Sequence, residues 1–164
     1  MAIEETRIEG LDELYRTLQD LPVKIERNVV RGALRAGAVE IRDTARSRAP
    51  VLTGALRDSI RVSMRVVGGK VVANITAGGK PNKKGRDAYY AHMVEFGTKP
   101  HDIKPKNRKS LFVAGLFKEI VHHQGAKARP FLRPAFDGKW RDAVEAAADY
   151  MRARIPRELE KQGR

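Results

Sequence analysis

Apolar residues recur at helical spacing in the first third of the chain. Four leucines in residues 11–21, flanked by Gly10 and Pro22, predict a short amphipathic helix. A second, longer helix is predicted over residues 22–48, which contain no proline after the first position. Its predicted apolar face consists of Val30, Leu34, Ala38, Ile41 and Ala45. Gly32 and Gly37 lie inside this helix and weaken the pattern.

The middle of the chain changes to an alternating pattern. Apolar and polar residues alternate over residues 60–66, and again over 71–75, as in half-buried strands. Gly68 and Gly69 between them supply the positive φ angles of a tight turn, so an antiparallel hairpin is predicted over residues 57–77. Residues 78–88 combine turn formers with like charges, and they predict an exposed, flexible basic loop.

The second half of the chain mixes short elements with one long helix. Tyr89, Met93 and Phe96 share one helical face and Tyr90 and Val94 an adjacent one, which predicts a short buried helix that stops at Gly97. Residues 111–121 are apolar and β-branched enough for one or two strands, broken by Gly115. The last helix is predicted from about 130 to 161, beginning at Pro130 and broken by later prolines. Its predicted apolar face is Trp140, Ala143, Val144, Ala147, Met151 and Ile155.

These elements predict an α+β fold. A small antiparallel β-sheet of about four strands would pack against long N-terminal and C-terminal helices. The 164 residues are the size of one ordinary domain, so a single domain is expected over residues 1–164.

Charge adds two surfaces to this picture, because the chain carries a formal net charge of +13. One is a basic ridge on the second helix, consisting of Arg27, Arg31, Arg35, Arg42 and Arg46. The other is an acidic stripe on the last helix, consisting of Asp142, Glu145 and Asp149. The two could pair within a subunit or between neighbours, and a plain solvated face is the alternative for the ridge.

Further basic side chains cluster in two turn-rich segments. They are candidates for contact with DNA, with the wall of a channel or with a partner protein. These candidates are Lys80, Lys83, Lys84, Arg86, Lys104, Lys106, Arg108 and Lys109.

The sequence shows no motif of catalysis or cofactor binding. Neither Gly-Gly-Lys run has the spacing of a phosphate-binding loop. His92 and Glu95 have helical spacing for a shared metal, but two ligands alone are weak evidence. We therefore expect no enzyme, no metal and no cofactor. The absence of cysteine, of a signal sequence and of a membrane-spanning segment predicts a soluble protein made in the cytoplasm.

Three ordered sequence blocks carry a family resemblance. They are residues 49–60 (APVLTGALRDSI), 90–98 (YAHMVEFGT) and 123–136 (HQGAKARPFLRPAF). Taken in this order, the blocks resemble the minor tail-component family of long-tailed bacteriophages, over about residues 8–160. Gln124 departs from the family pattern, in which a proline often occupies that position.

The resemblance implies a structural virion protein, a tail-completion or head–tail joining (neck) component. It implies a ring of identical subunits, by analogy a hexamer, located at the head–tail joint or tail end with a channel for DNA. Its expected partners are head-closure or connector proteins and the tail terminator or tail tube, with no membrane. Glu95, Arg129 and Phe131 in the blocks are candidates for subunit contacts, although maintenance of the fold also explains them. The alternative function is a basic nucleic-acid-binding accessory protein.

Overall fold

The computed structural model describes residues 11–19, 23–79, 88–105, 110–113 and 115–162. The helices are α1 (Leu11–Gln19), α2 (Val23–Arg48), α3 (Ala55–Ser59), α4 (Ala91–Phe96) and α5 (Leu132–Gln162). The strands are β1 (Arg61–Val67), β2 (Lys70–Thr76), β3 (His101–Ile103), β4 (Leu111–Val113), β5 (Leu116–Lys118) and β6 (Val121–His123). Long helices combined with small antiparallel sheets confirm the predicted α+β class.

The long helices α2 and α5 pack against each other in opposite directions. The N-terminal half of α2 lies beside the C-terminal half of α5, where Val29 and Ile155 share a small buried core. Further along, Gly37 lies against the backbone of Ala143, so closely that a Cβ on Gly37 would be 2.3 Å from the Ala143 carbonyl oxygen. The glycines that weakened the helical pattern therefore permit close contact between the helices.

The buried face of α2 differs in part from the predicted one. Ala38, Ile41 and Ala45 are buried as predicted, whereas Val29 and Ala33 are buried in place of Val30 and Leu34. Small residues face α5 at this end because the two backbones approach closely. Leu34 instead lies on a groove that is described below.

The first hairpin matches its prediction except at its start. β1 and β2 pair antiparallel from Arg61 with Thr76 to Val67 with Lys70. Gly68 and Gly69 form the turn with φ angles of 56° and 79°. Residues 57–59, predicted as strand, form the end of α3 instead.

The strands do not form the single sheet of about four strands that the sequence predicts. The described strands form three separate two-stranded ribbons, β1 with β2, β3 with β6, and β4 with β5. The β4–β5 ribbon is nested inside the β3–β6 ribbon, since β4 and β5 lie between β3 and β6 in the chain. The predicted strands around Gly115 are confirmed, and β3 and β6 were not predicted.

The short helix α4 and its end at Gly97 are confirmed, and Tyr90 and Val94 pack against the core, but the predicted burial of the Tyr89, Met93 and Phe96 face is wrong. Tyr89 is 65% exposed, Phe96 is 78% exposed and Met93 is also exposed. The helix buries Ala91 and Glu95 instead. The helix is too short to bury a broad face, and the carboxylate that it does bury is fully hydrogen-bonded.

The last helix begins two residues later than predicted and is continuous. It starts at Leu132, with Pro134 in its first turn, where an amide hydrogen is not needed. Pro156 lies inside the helix, which continues beyond it to Gln162. The predicted break is therefore not present.

Candidate functional site

One hydrophobic core joins the three sequence blocks. It lies where α2, α3, α4 and the start of α5 meet, and residues from every block contribute to it. Its buried members are Ile41, Ala45, Ala49, Leu56, Ile60, Ala91, Phe131, Ala135 and Ala143. The three blocks therefore have a structural role. Together they form this core, which is called the junction below, and the other surfaces of the protein extend from it.

Glu95 is the polar centre of this junction. Its side chain is 7% exposed, and its Oε2 accepts hydrogen bonds from the backbone N–H groups of Phe131 at 2.7 Å and Leu132 at 3.0 Å. Its Oε1 accepts a third from the N–H of Arg133 at 3.0 Å. The first amides of a helix have no partner within the helix, and their dipoles favour a negative charge. Glu95 thus fixes the start of α5 from a position 36 residues earlier in the chain.

The pKa of Glu95 reflects these contacts. Burial alone would raise it, but the three backbone N–H donors stabilise the carboxylate and hold the pKa below its ordinary value of 4.5. The unfolded chain therefore takes up the proton first. The stabilisation is complete above about pH 4.5 and is lost as the pH falls through the lower pKa of the folded state.

This linkage predicts a difference in acid sensitivity between wild type and Glu95→Gln. The free energy of unfolding, measured by urea denaturation in steps from pH 7 to pH 3, should fall more for wild type than for the variant below pH 4.5. Asp43, whose pKa is lowered by its hydrogen bond to Arg42, is present in both proteins and cancels in the comparison. Parallel pH curves for the two proteins would contradict the assignment of this carboxylate.

Backbone contacts next to Glu95 hold the second and third blocks together. The N–H of Arg129 donates to the carbonyl of Val94 at 2.8 Å, and Thr98 and Ala126 exchange two backbone hydrogen bonds. Gly97 has a φ of 72°, and a Cβ there would lie 2.7 Å from the carbonyl oxygen of Ala126. The chain leaves the junction at Thr98 and returns to it at Ala126.

The segment between these two residues, 98–126, is here called the β-arm. It contains both nested ribbons, and its outer ribbon carries exposed apolar side chains. Phe112 and Phe117 are paired across the ribbon with ring centroids 5.1 Å apart, yet they remain 66% and 75% exposed. Ile103, Val113, Leu116 and Ile120 are exposed as well. The β-arm thus presents an aromatic tip without a hydrophobic partner among the described residues.

A second apolar surface lies between the long helices and the first hairpin. This groove encloses about 640 Å³ and is bordered by α2, β2 and α5. On α5 its wall is formed by Phe136, Trp140 and Val144, which are one helical turn apart and all substantially exposed. Asp137 is the one charged residue on the described lining. The predicted apolar face of α5 is therefore divided, with Ala143 and Ile155 buried and Trp140 and Val144 left on the groove.

The basic ridge is only partly free to meet a partner. Arg46 is half-buried, and its guanidinium donates to the carbonyl of Ile60 at 2.8 and 3.2 Å. Arg42 pairs with the neighbouring Asp43 at 2.8 Å. Arg27, Arg31 and Arg35 are exposed at successive turns of α2. The exposed ridge therefore consists of these three arginines.

The acidic stripe is exposed on α5. Asp142 pairs with Lys139 and Asp149 pairs with Arg152, in both cases within the same helix. Such exposed pairs contribute little to stability and exchange partners readily. Glu145 is exposed between them.

Other sequence candidates fall into three groups. Glu95 and Phe131 are buried within the chain, which favours their role in the fold. Arg129 and Lys104 have exposed side chains. The remaining basic candidates lie outside the described residues, and they are Lys80, Lys83, Lys84, Arg86, Lys106, Arg108 and Lys109.

The sequence reasoning missed the aromatic tip and the groove. A signal for the tip was present, since two apolar runs flank Gly115 without the alternation of a half-buried strand. The sequence contains no comparable signal for the groove, because the apolar residues of its α5 wall have the same spacing as residues that face a core.

Exposed apolar surfaces of this kind on a small, strongly basic protein are typical of sites that bind other proteins. The chain belongs to the bacteriophage HK97-gp10 tail-component family, whose family model matches residues 12–97. It is thus a structural protein of the phage tail and a component of the virion, with other tail or neck proteins as partners. The matched segment ends at Gly97, so the β-arm and α5 lie beyond it.

The other comparisons add no relative. Neither the curated proteins nor the solved structures contain a match to this chain. In the part of the chain that the structure describes, no helix has the length and apolar character needed to cross a membrane.

Proposed function

We propose that this protein completes the tail and joins it to the head as a ring of identical subunits, six in number, that leaves a channel for DNA. The observation that carries the proposal is the aromatic tip of the β-arm, where Phe112 and Phe117 are mostly exposed. A soluble monomer gains nothing from such a patch, whereas an assembly subunit buries it against a partner.

The family and the charge of the chain support the proposed position in the particle. The ring would contact the head-closure or connector protein on one side and the tail terminator or tail tube on the other. Its net charge of +13 suits a channel through which a polyanion passes. The protein would join head and tail by burying interfaces with its partners, without catalysis or a cofactor. Assembly would take place in the host cytoplasm.

Native mass spectrometry of the purified protein over a range of concentrations tests the ring. A species of six subunits is expected, and a different closed number would correct the stoichiometry while supporting a ring. A monomer at every concentration would contradict the ring.

The exposed ridge and the acidic stripe supply a pair of complementary surfaces for this ring. A closed ring of identical subunits requires two different surfaces that meet head to tail. We therefore expect Arg31→Glu/Arg35→Glu to shift the monomer–ring equilibrium at least tenfold toward monomer in light scattering, while the melting temperature of the monomer stays unchanged. The matched control is Arg65→Glu/Arg157→Glu, which makes the same change of charge at exposed sites elsewhere. An unchanged oligomer mass for the ridge variant would remove the ridge from the interface.

A second candidate function, a basic nucleic-acid-binding accessory protein, is favoured by the row of Arg27, Arg31 and Arg35. Phosphate contacts release counterions, so binding to duplex DNA would fall steeply with salt. Strong, salt-dependent binding by the isolated monomer would support this function. Weak binding by the monomer together with ring formation supports the first.

A further inference from the structure

We infer that the β-arm of one subunit docks its aromatic tip into the groove between α2, β2 and α5 of a neighbouring copy of the same chain. This inference rests on the proposed ring and names the contact that closes it. It assigns the apolar contact to surfaces that differ from the charged ridge and stripe.

The tip has the properties of an inserted element. The rings of Phe112 and Phe117 contact each other at a tilt of 54° and Leu116 lies beside the turn, so the apolar side chains form a compact end. Their exposure shows that the subunit does not cover this end itself. Residues 116–126 span at most roughly 30 Å from the junction, at about 3.3 Å for each extended residue, and six of them lie in β5 and β6. Docking requires that this length brings the tip to a neighbouring copy.

The groove has the properties of a receptor for such a tip. It is lined almost entirely by apolar side chains, and Phe136, Trp140 and Val144 project along one wall. Aromatic side chains in an apolar, water-excluding pocket contribute much of the binding energy of protein interfaces. A neighbouring groove on the other side of Phe136 encloses about 690 Å³ and shares Ile41, Ala73 and Ile75 with it, so the receptor surface is extended.

Charge selects a second copy as the occupant. Residues 98–126 contain six lysines and arginines against two acidic residues, and Lys118 directly follows Phe117. The charged residue on the groove lining is the acidic Asp137. Lys118 beside the tip can pair with Asp137 on the groove lining, and this pair would fix the register of docking.

Symmetry supports the same occupant. The tip and the groove are different surfaces of one chain, so the contact between copies is head to tail. Each subunit contributes one arm and one groove to such contacts, so in a closed ring every arm is bound and every groove is filled. A standard interface buries about 800 Å² on each partner, so the arm and the groove would form one part of the contact between copies.

Disulfide trapping tests the docking directly, because the natural sequence contains no cysteine. Val113→Cys, at the exposed end of the same ribbon, and Val144→Cys are made as two full-length single-cysteine proteins that keep both phenylalanines. One of them carries a longer tag, and the two are co-expressed so that mixed rings form. Mild oxidation should give a disulfide-linked dimer of one long and one short chain. The matched control replaces Val144→Cys by Ala153→Cys, which is exposed on the opposite face of α5, and its yield should be at least tenfold lower.

Loss of the tip gives a second readout. Phe112→Ser/Phe117→Ser should abolish the ring in native mass spectrometry and leave the thermal unfolding of the monomer in place, since the tip does not belong to either core. Val66→Ser/Val67→Ser makes the same kind of change at the exposed end of the first hairpin and should keep the ring.

The outcomes separate the two proposals. Rings that persist without a link between positions 113 and 144, or with equal links to position 153, overturn the docking and leave the ring in place. Rings that survive the loss of both phenylalanines overturn it too. A wild-type protein that is monomeric at every concentration overturns the ring, and the docking with it.

Discussion

Replacing Glu95 by alanine should lower the free energy of unfolding by about 2–3 kcal/mol, since hydrogen bonds to a charged group and the capping of a helix are both lost. Three backbone N–H groups at the start of α5 would lose their acceptor in a buried environment. The removal of a negative charge from the helix N-terminus adds to the effect. Urea unfolding followed by circular dichroism, at one fixed protein concentration, measures the difference.

Glu119→Ala provides the control for Glu95→Ala. It removes the same side chain from an exposed position on the β-arm, where a change within roughly 0.5 kcal/mol is expected. Equal losses for both variants would show that Glu95 has no special place in the fold. A loss at Glu95 alone would confirm that the carboxylate anchors α5.

Gly37→Ala should destabilise the protein by about 1–3 kcal/mol, although alanine is the better helix former, because it overfills a close contact. The added Cβ would be 2.3 Å from the carbonyl oxygen of Ala143. That atom belongs to the backbone of α5 and cannot rotate away, so the helices would have to separate. The melting temperature and the urea midpoint should both fall.

Gly138→Ala is the matched comparison, and its expected effect on stability has the opposite sign. Gly138 lies in α5, and a Cβ there would meet no other atom within 4 Å. Alanine should therefore stabilise the protein by about 0.5–1 kcal/mol through helix propensity and a less flexible unfolded chain. A stabilising effect at position 37, or a destabilising one at 138, would contradict the packing of α2 against α5.

The two long helices and the first hairpin could be predicted from the sequence because their signals are local, whereas the short helix α3 was not predicted. Helix α2 is long enough for its apolar period to show, and Gly68 with Gly69 marks the turn between β1 and β2. The details of α2 could not be predicted, since the choice of Val29 over Val30 depends on how closely α5 approaches.

The burial of α4 could not be predicted from its own residues. Tyr89 and Phe96 are apolar enough to suggest a buried face, and Glu95 suggests an exposed one. In the structure Tyr89 and Phe96 are exposed and Glu95 is buried, because a backbone N–H group 36 residues further along the chain donates a hydrogen bond to its carboxylate. Arg46 is a similar case, since its guanidinium binds the carbonyl of Ile60 inside the subunit. Contacts between distant segments decided both positions.

The surfaces proposed for assembly were predicted in part. The arginines of the ridge and the acids of the stripe follow from helical spacing, and the structure leaves Arg27, Arg31 and Arg35 exposed. The β-arm and the groove required the fold, because the exposure of Phe117 and of Val144 is set by what the rest of the chain leaves uncovered.

Electron microscopy of particles made by the phage without this protein is the most direct test of the proposed role. Filled heads and separate tails should accumulate, and addition of the purified wild-type protein should restore joined, infectious particles. Complete infectious particles formed in its absence would contradict the role in joining head and tail.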